Sequence, residues 1–260
     1  MTGVIRSVVA GSIGQLIIDH TARRNALTAQ MWRDLPAVVR ELDAHPAVRV
    51  IVMRGEGDQA FVSGADISQF SELRSGAGAR AYEDDNVRAF QALLELSKPL
   101  IALIHGFCIG GGVALAVCAD VRHAADDATF AVPAARLGLG YPLSGLSTLI
   151  QLLGPAHAKE LCFSARRIDA GEARRIGLIN EVWPKAELEQ RVQELALGMA
   201  DNAPLTLRAF KRCASELMKP EAERDLDRAR AAIEACYESA DYREGIEAFL
   251  QKRAPKFVGA

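Results

Sequence analysis

Three short apolar runs, residues 13 to 19 (IGQLIID), 48 to 54 (VRVIVMR) and 99 to 105 (PLIALIH), alternate with stretches whose apolar residues recur at helical spacing. That alternation is the pattern of βαβ units stacked around a largely buried sheet, so the fold class is α/β. Between the first two runs, Met31, Leu35, Val38, Val39 and Leu42 share one helical face, and Thr28 is placed to cap its start. Residues 79 to 97 give a second helix, ended by Lys98-Pro99 because the residue before a proline avoids the helical region. After residue 184 only helical patterns follow. The chain is therefore divided into an α/β core, 1–183, and a C-terminal helical region, 184–260, expected to pack outward and onto another subunit.

Bulk numbers narrow the function classes. At 260 residues and 50% hydrophobic content the chain can bury a sizeable core, and one large domain is expected. With 31 basic and 33 acidic residues interspersed, neither sign forms a run that would engage nucleic acid or an anionic membrane. Five scattered cysteines, with no CxxC pair and no histidine at zinc-ligand spacing, point to a reducing compartment and no structural metal. The start, MTGVIRSVV, lacks a basic segment followed by an apolar one, and no window reaches about 18 apolar residues. A cytoplasmic protein is expected.

Two segments carry chemistry. His105-Gly106-Phe107-Cys108-Ile109-Gly110-Gly111-Gly112 runs from a strand through three glycines into a helix. Glycines let backbone N–H groups approach a ligand oxygen, and a helix start adds partial positive charge; the same residues also suit a plain tight turn. Ala60-Phe61-Val62-Ser63-Gly64-Ala65-Asp66-Ile67 again leads from a strand towards a helix, with Asp66 placed to cap it. The Ser-Gly-Ala-Gly-Ala stretch at 75 to 79 reads as a mobile loop beside this segment.

Taken together and in this order, the pair resembles the oxyanion-hole motifs of the crotonase (enoyl-CoA hydratase/isomerase) superfamily. The resemblance continues through Arg24-Asn25-Ala26-Leu27, residues 165 to 182 (ARRIDAGEARRIGLINEV) and the C-terminal EAFLQKRAPKF. It implies a crotonase-like ββα superhelix with a C-terminal helical trimerisation region, forming a homotrimer or a dimer of trimers. It also implies an acyl-CoA substrate and no cofactor beyond that substrate's CoA moiety. Carried over by position, the two oxyanion-hole donors are the backbone N–H groups of Ala65 and Gly111. The CoA path follows Arg24, Ala26, Ser63, Asp66 and Ile67, while Phe249 and Lys252 match residues that a neighbouring subunit contributes.

Two departures shape the expected reaction. The hydratases of this superfamily hold water with two glutamates, at positions occupied here by Ala114 and Ala134. Alanine transfers no proton, which argues against ordinary hydratase or isomerase chemistry. The loop from Pro133 to Gly145 and the C-terminus resemble methylmalonyl-CoA decarboxylase, whose catalytic tyrosine falls on Tyr141 and which has histidine where this chain has Ala65. Loss of CO₂ from a malonyl-type thioester yields an enolate with no base, so decarboxylation is the leading expectation. An enoyl-CoA hydratase/isomerase-like enzyme, a thioester hydrolase and a catalytically silent CoA-binding homologue are the alternatives. Tyr141 reads either as a catalytic group or as a half-buried loop aromatic. His105 and Asp120 read as structural, and Arg136 either meets a substrate carboxylate or faces solvent.

Overall fold

The computed structural model describes residues 2–69 and 77–260. The strands are β1 (Val4–Ala10), β2 (Ile13–Asp19), β3 (Val50–Gly55), β4 (Ala60–Val62), β5 (Leu100–Ile104), β6 (Phe107–Ile109), β7 (Val121–Ala125), β8 (Thr129–Ala131), β9 (Ile168–Asp169) and β10 (Glu181–Trp183). The helices are α1 (Ala29–Ala44), α2 (Ala77–Leu94), α3 (Gly111–Ala116), α4 (Leu143–Ser164), α5 (Ala170–Arg175), α6 (Lys185–Ala200), α7 (Pro204–Met218), α8 (Leu226–Glu238) and α9 (Ala240–Leu250).

Two sheets result: a six-stranded one ordered β1-β2-β3-β5-β7-β10 and a four-stranded one ordered β4-β6-β8-β9. From β3 onward the chain repeats one step three times, laying a strand in the large sheet and the next in the small sheet before moving on (β3–β4, β5–β6, β7–β8). Pairing between β2, β3, β5, β7 and β10 is parallel, while β1 returns on β2 as an antiparallel hairpin. This repeated step is the stacked ββα architecture that the resemblance implied.

Parallel strands need cover on both faces, and alternate residues of each run supply it. Val50 and Val52 of β3, with Ile101 and Leu103 of β5, face α6 through Leu188, Val192 and Ala196. Ile51 and Met53, with Leu100, Ala102 and Ile104, face the opposite way, into the main core with Trp32, Leu35, Val39, Phe90 and Leu93. The helical stretch after residue 184 thus begins with a helix seated on the sheet.

Sequence patterns set the ends of these elements. The Thr28 hydroxyl accepts from the Met31 N–H at 3.2 Å and opens α1. Helix α2 stops at Leu94, before the expected residue 97, because Ser97 turns aside to bond Asp43 through both its N–H (3.1 Å) and its hydroxyl (2.9 Å). Lys98 then reaches back to the Leu42 and His45 carbonyls, at 3.0 and 2.8 Å. Of the expected loop at 75 to 79, Ser75 and Gly76 lie outside the described residues, and Ala77 already begins α2.

Candidate active site

The stretch between β4 and the short 3₁₀ turn Ile67–Gln69 is pinned by a parallel bridge between Ala65 and Leu27. Leu27 N–H donates to the Gly64 carbonyl and Asp66 N–H donates to the Leu27 carbonyl, both at 2.8 Å. In this pattern Ala65 uses neither of its own polar groups, and its N–H meets no acceptor among the described residues.

The partner segment, residues 24 to 27, is itself clamped. Asn25 is fully buried, at φ 56°; its Oδ1 accepts from the His20 N–H (2.9 Å), and its Nδ2 donates to the carbonyls of Glu56 (3.0 Å) and Ala60 (2.7 Å). One side chain therefore ties this turn to both ends of the β3–β4 connection.

From the other side, Gly110 adopts φ 55°, a conformation that suits glycine, and donates its N–H to the Ala131 carbonyl at 2.8 Å. The first helical bond of α3 is Ala114 N–H to the Gly110 carbonyl (3.1 Å), so the amide of Gly111 finds no backbone acceptor among the described residues. Helix α3 can sit this close to β4 because residue 112 lacks a side chain: a Cβ there would lie 2.4 Å from the Val62 carbonyl oxygen. At Gly111 a Cβ would lie 3.8 Å from the Ala65 nitrogen and 3.2 Å from Trp32 Cζ2.

Both residues line one cavity of about 120 Å³. Its walls are chiefly apolar, from Trp32, Phe90, Ile109, Val132 and Leu139, together with Ala114 and Ala134. None of the described residues that line it carries a carboxylate. Tyr141 is half-buried in the wall and burial holds its phenol above the ordinary tyrosine value, so the hydroxyl stays protonated at neutral pH.

The expected CoA residues fall in two places. Ser63 N–H donates to the Arg24 carbonyl (3.1 Å) and the Ser63 hydroxyl to the Arg23 carbonyl (3.1 Å), which sets Arg24 beside Ser63, itself a lining residue of the cavity. The Arg24 guanidinium lies 5.1 Å from the centre of the Phe107 ring. Ala26 N–H bonds the Arg23 carbonyl (3.1 Å), and Ile67 is exposed while still lining the cavity. Asp66 bonds the Ser68 hydroxyl (2.7 Å) and N–H (3.1 Å); these bonds, the hydroxyl first, keep its carboxyl below the usual range. Phe249 and Lys252 lie apart from this group, exposed at and just beyond the end of α9 and outside the cavity lining.

Three further sequence candidates are placed as well. His105 is buried at the end of β5 with its Nε2 unpartnered, and burial holds its pKa below the ordinary imidazole value. Asp120 accepts from the Leu100 N–H and from Lys211 Nζ, each at 2.7 Å, a boundary role that ties a core strand to α7. Arg136 is exposed and does not line the cavity. No group of three or more His, Cys, Asp or Glu suited to a metal, and no helix long and apolar enough to cross a membrane, occurs among the described residues.

Sequence reasoning missed Asn25, Trp32 and Asn86. Asn25 sits within a quoted motif, but its role depends on the β3–β4 connection, far away in sequence. Trp32 and Asn86 belong to helical patterns that do not reveal which side faces a cavity.

Known proteins resemble this chain in sequence and in fold. Residues 9–260 match the family described as Enoyl-CoA hydratase/isomerase. A crotonyl-CoA hydratase of Syntrophomonas wolfei is 35% identical over 243 residues, covering 94% of this chain and 93% of that protein. A carnitinyl-CoA dehydratase of Proteus mirabilis is 32% identical over 271 aligned positions, with both chains covered in full. A solved enoyl-CoA hydratase/isomerase family protein from Hyphomonas neptunium superposes with a TM-score of 0.93 at 34% identity, covering 97% of each chain. The chain thus belongs to the enoyl-CoA hydratase/isomerase family of the crotonase superfamily.

Proposed function

We propose that the protein is an enzyme acting on an enoyl-CoA-type thioester through an enolate held by the backbone N–H groups of Ala65 and Gly111. The observation that carries this reading is the approach of two otherwise unengaged amides at one apolar cavity, with the Gly111 Cβ position 3.8 Å from the Ala65 nitrogen. Preorganised donors in a dry site stabilise charge that develops on a thioester oxygen, each by a factor of about 10²–10³ in rate.

Tyr141 is the group proposed to handle the proton. When water oxygen bonds to Cβ of an enoyl thioester, the C=C electron pair moves to make the enolate, whose negative charge rests on the thioester oxygen. The neutral Tyr141 phenol then donates its proton to Cα, and the proton released by the added water restores the phenol. The same steps in reverse eliminate water. Ala114 and Ala134 leave the cavity without the paired carboxylates that would speed the water step, so hydration is expected to be slow for this family.

The names of the relatives, a hydratase and a dehydratase, favour this reading over the decarboxylation that the loop resemblance led us to expect. A malonyl-type substrate stays as the second reading because apolar Ala114 and Ala134 place no negative charge against a substrate carboxylate. The experiment is a substrate panel. With crotonyl-CoA, methylmalonyl-CoA and butyryl-CoA under mass spectrometry, addition of water to crotonyl-CoA is the expected result. Release of CO₂ from methylmalonyl-CoA with crotonyl-CoA untouched selects the second reading, and free CoA from every thioester selects hydrolysis.

Within this reading, Tyr141→Phe keeps the ring that packs in the wall and removes only the O–H. Turnover is expected to fall about 10²-fold with the melting temperature unchanged. Because burial raises the phenol pKa, wild-type activity should show no alkaline loss from this group below about pH 10. A steep fall near pH 8 that Tyr141→Phe leaves in place would assign the proton transfer elsewhere.

We also propose that the CoA nucleotide end runs past Arg24, Ala26, Ser63, Asp66 and Ile67, and that the chain assembles as a homotrimer or dimer of trimers through its C-terminal helices. Exposed Tyr237, Phe249 and Leu250 on α8 and α9 support an apolar face that a neighbouring copy would cover. In such an assembly Phe249 and Lys252 would reach a neighbour's CoA.

A further inference from the structure

The cavity that holds Ala65 and Gly111 has an open end and a closed one. Ile67, Leu137 and Gly140 line it and are exposed, which marks the mouth; Trp32, Phe90 and Val132 line it and are buried, which marks the far end. Trp32 closes that end. It is 2% exposed, its Nε1–H donates to the Tyr82 hydroxyl at 3.0 Å, and its ring meets Phe90 edge-on with centroids 5.5 Å apart. A Cβ on Gly111 would lie 3.2 Å from its Cζ2, so the indole stands directly against the glycine that carries an oxyanion donor. Held on three sides in a close-packed interior, the ring does not swing aside for a longer ligand.

The volume limits the length of an acyl group. An apolar cavity of about 150 Å³ holds the six carbons of benzene, so one of about 120 Å³ has room for about five. Different residues set the width. Ala114 lies one helical turn after Gly111 on α3, and Ala134 lies in the 3₁₀ turn Pro133–Leu137 that follows β8; each lines the cavity with only a methyl group. The space is therefore blocked along its length by an aromatic ring and roomy at its side, next to the reacting carbons of a thioester held by the two amides. A fifth acyl carbon fits there as a methyl branch, whereas in a straight chain it meets the indole.

We propose that Trp32 is a specificity-determining residue that selects acyl-CoA thioesters with short, methyl-branched acyl groups over straight-chain ones of the same or greater carbon count. The proposal rests on the acyl-CoA reading given above and goes beyond it by naming the size and shape of the acyl group.

The test is a set of dissociation constants measured by titration calorimetry with butyryl-CoA, isovaleryl-CoA, valeryl-CoA and octanoyl-CoA, on the wild-type protein and on Trp32→Phe. Isovaleryl and valeryl groups have the same five carbons, so shape alone separates them. Wild type is expected to bind isovaleryl-CoA ten-fold or more tightly than valeryl-CoA, and octanoyl-CoA no more tightly than butyryl-CoA. A groove without a floor would instead tighten binding about four-fold for each added methylene, about 250-fold from butyryl to octanoyl. That result overturns the proposal, as does wild-type binding of the two five-carbon ligands within threefold of each other. Trp32→Phe keeps an aromatic ring against Phe90 and shortens the floor, which should bring valeryl-CoA within threefold of isovaleryl-CoA; a folded variant that keeps the ten-fold difference overturns the assignment to Trp32. The wild-type comparison needs no variant, so a folding defect in Trp32→Phe would leave it decisive. All of these outcomes leave the acyl-CoA reading intact, while failure of every ligand to bind, butyryl-CoA included, overturns both.

Discussion

Replacing the Ala65 backbone amide by an ester is expected to slow turnover by about 10²–10³-fold, with kcat and kcat/KM falling together. The exchange deletes one N–H and no side-chain atom. That N–H donates to nothing among the described residues, so the fold loses no hydrogen bond from it; the Gly64 carbonyl merely becomes a weaker acceptor for Leu27. The matched control is the same exchange at Asp66, whose N–H holds the bridge to the Leu27 carbonyl at 2.8 Å. There the expected cost is about 1 kcal/mol of stability. Kinetic constants from stopped-flow, with melting curves alongside, separate the two effects. An Ala65 ester that turns over within threefold of wild type would remove this amide from the mechanism.

Gly112→Ala should be a severely damaging single methyl group near the site. Its Cβ would sit 2.4 Å from the Val62 carbonyl oxygen and 3.0 Å from Val62 Cβ, so α3 must move off β4. Overpacking of this kind costs about 3 kcal/mol at its upper range, which for a chain of this size lowers Tm by roughly 6–12 °C. Activity should fall further than the unfolded fraction explains, because the same shift carries Gly111 away from Ala65. The nearest clash is with a backbone oxygen, so Val62→Ala is not expected to rescue it. In contrast Gly198, inside α6 with open space where a Cβ would go, should accept alanine with no loss of stability. Calorimetric melting of these variants, with activity assayed well below Tm, checks the contrast.

Much of this arrangement was legible in the sequence, and what was not has physical causes. Strands β2, β3 and β5 were readable because each buries both faces and so reads as a continuous apolar run. The Thr28 cap was readable because an N-cap is a local device. The second sheet was not, since β4, β6 and β8 are three residues each, too short to show a period. Ala65 and Gly111 entered only through resemblance, because a backbone donor leaves no mark of its own beyond the small residues that make room for it. Asn86 sits in a charged stretch, YEDDNVR, that reads as a solvent-facing helix surface. Only the placement of α2 against α1 turns that side chain into the cavity wall.

The geometry also limits what the buried thiols do. Cys108 is fully enclosed beneath the glycine turn, and burial raises its thiol pKa; the Cys118 thiol is pushed up to about 12 by the same cause. Neither thiolate is populated at neutral pH, so neither thiol serves as a base or nucleophile in the proposed reaction.

A crystal structure of the protein with butyryl-CoA, a saturated thioester that cannot be hydrated, tests the central claim most directly. The account predicts the thioester oxygen within about 2.7–3.1 Å of both the Ala65 and the Gly111 nitrogens, with the acyl chain between Trp32, Asn86 and Tyr141. A bound ligand whose carbonyl oxygen meets only one of those nitrogens, or neither, would contradict it.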